Sequence, residues 1–267
     1  MKKAFIFAIL IVSALCLTVG LTACSSNVTT DKLIRRNWSE TDTETFTYEI
    51  FENDNKAGTL VQSVKPLGNR EGYELNFEQT MINGDKWTAT VKFSSVGSAS
   101  SFPPLESVRT MLINGRQLTQ KLVYSNSGVT FFTSDTDSIP ADTTGQTFDI
   151  SAPYYDNMQF YTILRGAAFN NKFNLSFNTF VPNENQIVKL ACNLGAAESQ
   201  DYTLGGEAKA VNCQHVKIFR NQQITGQPIN AYYSTEDINV GGKTVKQALI
   251  KFIEDNYIYK LIDITVA

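Results

Sequence analysis

The sequence predicts a mainly β protein, with an antiparallel curved sheet or half-barrel built as a meander and one or two short helices. The first observation is alternation: Phe46, Tyr48 and Ile50 are apolar and the residues between them are polar, as in a strand with one buried face. The second is the presence of polar turns such as Asn83-Gly84, whose residues tolerate the positive φ of tight hairpins. The third is an aromatic content of 11%, because Phe and Tyr commonly fill β cores.

Strand patterns run from residue 45 to the C-terminus and are separated by short polar, often Gly-containing segments. The predicted strands are residues 46–50, 59–65, 73–78, 87–93, 109–113, 116–124, 129–133, 173–178, 186–194, 208–220, 230–233 and 257–266. Residues 135–145 are predicted to form a surface loop from their composition. Because the turns are short, strands that are adjacent in sequence are expected to pair as hairpins.

Residues 156–165 have helical periodicity. Asp156 can cap the N-terminus of this helix and Gly166 can end it. Residues 244–255 fit either a second helix or a continued strand, and the pattern leaves both alternatives open. The apolar stripe that should pack the first helix on the sheet consists of Phe160, Ile163 and Leu164.

The first 23 residues have the form of an export signal. Lys2 and Lys3 precede an almost wholly apolar run to Gly20, and small residues then lead to Cys24. The ending Leu-Thr-Ala-Cys resembles the bacterial lipobox, in which the cysteine thiol takes a diacylglycerol and the chain is cut just before it. The alternative is an uncleaved anchor, since about 20 apolar residues could span a bilayer. The position of Cys24 and the abrupt polar turn after it favour the lipobox.

The lipobox resemblance implies a lipoprotein with a signal peptide at residues 1–23 and acyl chains such as palmitate at Cys24. The lipid would hold the protein on the extracytoplasmic face of the cell membrane, or of an outer membrane if the cell has one. A tether at residues 24–43 and a single β-rich domain at 44–267 would follow. Two halves joined near residues 140–155 are the alternative organisation.

The charge balance argues against a nucleic-acid partner. The whole chain has 23 basic and 26 acidic residues, and removal of Lys2 and Lys3 makes the mature part more acidic. No long basic run is present, so binding to nucleic acid or to anionic lipid by charge is not expected. The lipid on Cys24 is therefore the expected membrane contact, since each buried CH₂ contributes about 0.8 kcal/mol.

Two further cysteines, Cys192 and Cys213, remain in the mature chain. Export places them in an oxidising space, where a bridge would close a loop of about 20 residues and add roughly 3 kcal/mol. The alternative is two buried free thiols, because cysteine packs well as a small apolar group. We expect the disulfide, in a role that does not include binding.

No motif in the chain predicts catalysis, a metal or a cofactor. His215 is the single histidine, and a hydrolase would need a nucleophile and an orienting carboxylate beside it. The Gly-Lys-Thr sequence at residues 242–244 lacks the earlier glycine of a phosphate loop, because Asp237 stands at that position. We therefore expect a structural histidine, and we lean towards a protein that is not an enzyme.

The mature chain resembles the exported β proteins of domain of unknown function 3108. Residues 46–50 and 56–59 resemble the opening strand and turn of that family, residues 154–166 its midchain helix led by Asp and ended by Arg, and residues 231–237 and 257–264 its final hairpin. The chain departs from the family at residues 238–255, where an insertion replaces a tight turn. Such proteins are similar in shape to half-barrels that hold acyl chains in a curved sheet.

The function expected from these observations is binding rather than catalysis. An envelope lipoprotein whose curved sheet holds an apolar ligand or another envelope component is the leading hypothesis. The rivals are a cell-wall or glycan hydrolase and a scaffold or adhesion module without a small-molecule site. The aromatic residues either line a cleft for such a ligand or only fill the core, and the sequence does not name the residues that would contact a ligand.

Overall fold

A computed structural model describes residues 34–68, 71–95, 102–171, 173–220 and 227–267. The export signal, Cys24 and the first part of the tether lie outside these ranges. Within them, no helix has the length and apolar character needed to cross a membrane.

The described residues form seventeen strands and one short α-helix. The strands are β1 (Glu44–Glu52), β2 (Asn55–Leu67), β3 (Gly72–Met81), β4 (Lys86–Phe93), β5 (Pro104–Ile113), β6 (Arg116–Tyr124), β7 (Gly128–Ser134), β8 (Gln146–Asp149), β9 (Leu175–Val181), β10 (Gln186–Leu194), β11 (Glu198–Leu204), β12 (Glu207–Arg220), β13 (Ile229–Ser234), β14 (Ile238–Val240), β15 (Lys243–Val245), β16 (Leu249–Glu254) and β17 (Tyr257–Val266). The helix is α1 (Phe160–Leu164), and a 3-10 turn follows β9 at Pro182–Glu184.

One antiparallel sheet contains fifteen of these strands. Its order is β8-β7-β6-β5-β4-β3-β2-β1-β17-β16-β13-β12-β10-β9, with β11 paired to β12. β14 and β15 form a separate hairpin. Strands adjacent in sequence pair through most of this order, so the predicted meander and the mainly β class are confirmed. The sheet is open, because β8 and β9 stand at opposite ends of the order.

The alternation that predicted the strands reappears as alternating burial. In β1 every second residue from Glu44 to Ile50 is buried and those between are half-buried. The strand lies between β2 and β17, where Tyr48 is opposite both Leu60 and Leu261. The buried Tyr48 therefore lies beside a buried side chain of each neighbouring strand, as the two-residue repeat of a strand requires.

The sheet curls until its two ends meet through side chains. Phe180 of β9 packs against Phe148 of β8 and Phe131 of β7, with ring centroids 4.8 and 5.4 Å apart. The chain after β8 also crosses to this seam, where Tyr154 forms a bridge with Asn178 of β9. Aromatic packing thus joins two ends that the strand order leaves apart, and the concave face encloses an interior.

The interior is occupied by α1 and the residues around it. All five residues of α1 are buried, so the helix is surrounded rather than packed on the sheet by one stripe. It is also shorter than the predicted helix at 156–165: Gln159 is its N-cap and has no side-chain capping bond. Asp156 begins the preceding turn, where its carbonyl accepts from the Gln159 N–H.

Gly166 has a different role from the predicted helix end. The α-helix stops at Leu164, and Gly166 lies against the N-terminal segment, where its carbonyl accepts a 2.7 Å bond from the Arg35 N–H. A Cβ at this position would lie 1.9 Å from the Arg35 carbonyl oxygen. Glycine is therefore required by the close approach of two backbones.

The ambiguous segment 244–255 is extended. It contains the end of β15 and all of β16, whose partner strands are β14, β13 and β17. The helical alternative is wrong there, because β15 and β16 both form backbone hydrogen bonds with neighbouring strands. Between β14 and β15, Gly241 and Gly242 have φ values of 59° and 83° and form a tight turn, which agrees with rejecting a phosphate loop.

Candidate functional site

A cavity of about 430 Å³ lies between α1 and the concave face of the sheet. This volume lies within the range of small-molecule sites in proteins, roughly 300–1,000 Å³. Its residues come from the turns that follow β9 and β16, from the residues just before α1 and from the ends of the neighbouring strands. The cavity is thus at one end of the curled sheet, where these turns gather.

The wall of the cavity is mostly apolar. Its aromatic and aliphatic residues are Leu60, Phe77, Trp87, Met158, Phe160, Tyr161, Val181, Val188, Leu190, Ile229, Phe252, Tyr257 and Tyr259. Several of the rings pack on each other, and Phe252 stacks on Tyr259 with centroids 4.0 Å apart. Such a wall suits an apolar ligand, because burying apolar surface is the main non-directional contribution to binding.

Three polar atoms in the wall have no hydrogen-bond partner among the described residues. They are the Trp87 Nε1, the Asn157 Oδ1 and the Thr179 Oγ1, and each is inaccessible to solvent. The Thr179 side chain is 1% exposed. Buried polar atoms are nearly always paired in folded proteins, but these three have almost no accessible surface, so they lie behind the surface of the wall and do not face an occupant of the cavity.

Two of the three carboxyl groups of the cavity, those of Glu184 and Glu254, are already engaged, and Asp255 is exposed. Two bonds of 2.6 Å join the Arg220 Nη2 to the Glu184 carboxylate, and this partner lowers the pKa of Glu184. The Tyr161 hydroxyl donates a 3.1 Å bond to the Glu254 Oε2. Burial nevertheless raises the pKa of Glu254, because desolvation disfavours its ionised form more than this bond favours it. Burial likewise keeps the pKa of Tyr161 well above its usual range.

A buried ion pair positions the cavity residues Asn157 and Met158. The Arg109 Nη2 lies 2.8 Å from both carboxylate oxygens of Asp156, and both side chains are almost completely buried. The Tyr124 hydroxyl donates to the same carboxylate at 2.8 Å, and the Met158 N–H donates to its Oδ1. Residues 156–165, which we call the interior segment, are thereby fixed at their start to β5 and β6.

A second buried ion pair fixes the other end of this segment. The Arg165 Nη2 lies 2.7 Å from the Glu44 Oε2, and the Arg165 guanidinium also stacks over the Phe46 ring at 4.7 Å. Between the two pairs, the Gln62 amide donates to the Thr162 hydroxyl at 2.8 Å. Polar anchors therefore hold α1 inside the sheet, and the gap left beside it becomes the cavity.

The opposite end of the concave space is filled. Trp38 packs edge-on against Tyr73, Phe93 and Phe102 with centroids 5.0–6.0 Å apart. Trp38 belongs to the segment that precedes β1, and it is buried at the end of the core. This closes the interior at the end away from the cavity.

The predicted disulfide is not formed, and both thiols are free and buried. Cys192 is opposite Ile218 of β12, whereas Cys213 of the same strand is opposite Ser234 of β13. Five residues at about 3.3 Å each therefore offset the two cysteines by roughly 16 Å along the strand. A disulfide needs Cα atoms about 4.4–6.8 Å apart, so strand register prevents the bridge.

His215 contacts an amide side chain and an aromatic ring. Its Nε2 lies 2.8 Å from the Asn230 Oδ1, and its ring stacks on Tyr232 with centroids 4.5 Å apart. The nearby Cys213 thiol donates to the Val211 carbonyl rather than to the imidazole. Neither His215 nor the two cysteines line the cavity, and Cys24 lies outside the described residues.

Sequence reasoning missed Arg109 and Glu254, although both carry a detectable signal. Arg109 shares the strand parity of Ser107 and Met111, and Glu254 shares that of Phe252. A charged residue at an inward position of a strand is unusual unless it is paired or functional. These two inward-facing charged residues could have been recognised from the strand pattern alone, whereas the unpaired atoms of Trp87 and Thr179 could not.

Comparison with protein-family models finds no match, and comparison with curated proteins finds none either. A solved structure with a similar fold is the beta-barrel-like protein of domain of unknown function DUF1849 from Brucella abortus. The TM-score is 0.53 at 10% sequence identity, over 86% of this chain and 99% of that chain. A likeness at this identity concerns the fold alone. It supports a β protein similar in shape to a domain of unknown function, but not the DUF3108 family in particular.

Proposed function

We propose that the protein is a membrane-anchored envelope lipoprotein that binds an apolar ligand in the cavity beside α1 without acting on it chemically. The observation that carries the proposal is the cavity of about 430 Å³ with an aromatic and aliphatic wall. Membrane attachment through lipid on Cys24 rests on the lipobox sequence, and the finer relation to DUF3108 proteins rests on the three stretches that resemble that family.

The engaged state of two of the three wall carboxyl groups favours binding over the hydrolase alternative, because Asp255 is left as the single unengaged one among the described residues of the wall. A glycoside hydrolase needs two carboxyl groups free to act on one bond. Here Arg220 holds Glu184, and Tyr161 donates to Glu254. The scaffold alternative is less well supported, because its interior would be filled rather than hollow.

A fluorescent apolar probe tests the proposal. N-phenyl-1-naphthylamine is uncharged and gains fluorescence when it leaves water, so we expect a saturable gain with the wild-type protein. Ile229→Trp adds a ring at the half-buried rim of the cavity and should remove most of this gain. Val123→Trp, at an exposed site on β6, is the matched control and should leave it unchanged.

Equal probe binding by wild type and Ile229→Trp would contradict the proposed site, provided that both proteins unfold at similar temperatures. No saturable gain with the wild type would contradict apolar binding altogether. In that case turnover of wall or glycan substrates becomes the measurement to make.

A further inference from the structure

We infer that the cavity takes up an uncharged apolar ligand together with a proton on the Glu254 carboxyl group, so that affinity is greatest at low pH and falls as the pH rises. This inference rests on the proposed function and adds to it a residue that makes binding depend on pH. The geometry that carries it is a carboxyl group in the wall of an apolar cavity, with one hydrogen bond to the described residues.

Glu254 ends β16 on the same strand parity as the buried Phe252. Both residues line the cavity, together with Tyr257, which is paired with Glu254 across β17. The Glu254 Oε2 accepts from the Tyr161 hydroxyl, whereas its Oε1 bonds to none of the described residues and is not fully enclosed. Glu254 as a whole is half-buried, so water solvates part of this carboxyl group in the unliganded protein.

Charged and titratable groups face Glu254 from each element around it. They are Tyr161 of α1, Asp255 of the turn after β16, Tyr257 and Tyr259 of β17, Arg220 at the end of β12, and Glu184 of the 3-10 turn, which is paired with Arg220.

Most of these groups keep one charge state near neutral pH. Burial holds the pKa of Tyr161 and that of Tyr259 above their usual range, so both stay uncharged. The hydrogen bonds from Arg220 lower the pKa of Glu184, which stays ionised. Asp255 is exposed, so an occupant of the cavity leaves its carboxylate in water. Glu254 is therefore the group whose protonation an occupant can change.

Glu254 already favours its protonated form in the unliganded protein. Burial is the largest influence on its pKa and raises it, and the negative charge of Asp255 acts in the same direction. The bond from Tyr161 and the positive charge of Arg220 act against this rise. Arg220 is itself bonded to Glu184, so its charge is already shared with another carboxylate.

An apolar occupant strengthens this preference. It replaces water beside the carboxyl group with hydrocarbon, and an ionised carboxylate loses more solvation free energy than a neutral acid does. The pKa of Glu254 is therefore higher in the complex than in the free protein, and binding takes up a proton. By linkage, affinity is greatest below the pKa of the free protein and falls as the pH rises to that of the complex.

The test measures the affinity for N-phenyl-1-naphthylamine between pH 5 and pH 9, a range in which this probe stays uncharged. We expect the wild-type protein to bind roughly five- to tenfold less tightly at pH 9 than at pH 5. Glu254→Gln is close in size to the protonated side chain and has no proton to lose, so its affinity should change by less than about twofold over this range.

Asp255→Asn is the matched control. It removes the neighbouring carboxylate and keeps a residue type that tolerates the left-handed φ of 52° at this position. The fall in affinity with pH should persist in this variant, and its midpoint should move to lower pH, because the charge of Asp255 raises the pKa of Glu254. Circular dichroism at each pH checks that all three proteins stay folded.

Calorimetry gives a second readout that needs the wild-type protein alone. The heat of binding of 1-octanol, which is uncharged, is measured in two buffers that differ in their heat of ionisation. The pH is the one at which probe affinity falls most steeply. A difference between the two heats reports the protons exchanged, and we expect net uptake on binding.

The outcomes separate the inference from the proposed function. Probe affinity that does not change with pH or rises with it, or equal heats in the two buffers, overturns the coupling and leaves apolar binding standing. An equal fall with pH in the wild-type protein and Glu254→Gln assigns the proton to another group and overturns the role of this residue. No probe binding at any pH overturns the proposed function itself.

Discussion

Glu254 is a carboxylic acid placed where ionisation is unfavourable. It lines the cavity, and its Oε2 accepts from the Tyr161 hydroxyl. Desolvation is the largest influence on its pKa and raises it, and the neighbouring charge of Asp255 acts in the same direction. The positive charge of Arg220 opposes both effects. The residue therefore stabilises the fold in its protonated form.

This pKa predicts a pH dependence that Glu254→Gln should remove. Because the folded state holds the proton more tightly, the contribution of Glu254 to stability is complete below the unfolded pKa, about 4.3. It is lost as pH rises through the raised folded pKa. We expect the variant to be more stable than wild type at pH 8 and the two to converge towards pH 4. Denaturant titrations across this range measure the difference, and a constant gap would contradict the assignment.

The free thiols at Cys192 and Cys213 give a second residue-scale prediction. Burial raises the pKa of Cys213 to about 12 and that of Cys192 well above its usual range, so neither is a thiolate at neutral pH. We expect both to resist a thiol reagent in the folded protein and both to react after unfolding without reductant. Detection of no free thiol at these two positions after unfolding would mean that they form a bridge in solution.

At the scale of elements, the interior segment is stabilised by packing along α1 and by ion pairs at its ends. The helix has five residues and no side-chain N-cap, too few to be stable by itself. Ile163 and Leu164 are completely buried. Its stability must therefore come from the sheet that surrounds it.

Leu164→Ala tests the packing of α1. Truncation of a fully buried leucine leaves a cavity, and we expect a loss of roughly 2–5 kcal/mol in the free energy of unfolding. Ile82→Ala, at a side chain that is 71% exposed, should change stability by less than about 0.5 kcal/mol. A similarly small change at Leu164 would mean that the helix does not occupy the interior.

Asp156 and Arg109 should be strongly coupled. Asp156→Ala leaves a buried guanidinium without its partner, and we expect a cost of roughly 3–5 kcal/mol. The double variant with Arg109→Met should cost clearly less than the sum of the single changes. The exposed pair of Lys86 and Glu78, 2.6 Å apart, is a suitable control cycle with a coupling of about 0–1 kcal/mol. Additive effects at Asp156 and Arg109 would contradict their direct pairing.

At the scale of the whole molecule, the chain enters the domain at the end opposite the cavity. Ile34 forms a bridge with Ala167, and Trp38 fills the end of the interior beside Tyr73. The cavity lies beyond α1, among the turns at the other end of the sheet.

Cys24→Ser tests the anchor separately from the cavity. Because the acyl chain is attached through sulfur, we expect the variant to leave the detergent phase in a partitioning experiment and to accumulate as an unprocessed precursor. Binding of N-phenyl-1-naphthylamine should be retained, since every residue of the cavity wall belongs to the β-rich domain, from Leu60 onwards. Mass spectrometry of the wild-type N-terminus checks the modification, and an unmodified Cys24 would contradict lipidation.

The β class, most strands and the tight turns follow from the sequence because these features depend on neighbours along the chain. Alternation in residues such as Phe46, Tyr48 and Ile50 needs only a buried and an exposed face, and a turn such as Asn114-Gly115, with φ values of 50° and 75°, needs only local backbone freedom. Hairpins between consecutive strands then produce most of the sheet order without long-range information.

The curl of the sheet, the buried helix and the cavity were decided by contacts between distant parts of the chain. Arg109 of β5 meets Asp156 only when the residues before α1 enter the interior, and Phe148 meets Phe180 only when the two ends of the sheet come together. The offset of the two cysteines likewise depends on the register of β10 with β12. Alternation of apolar and polar residues specifies which face of a strand is buried. It does not specify which residues lie opposite that face across the interior, and these contacts determine the cavity.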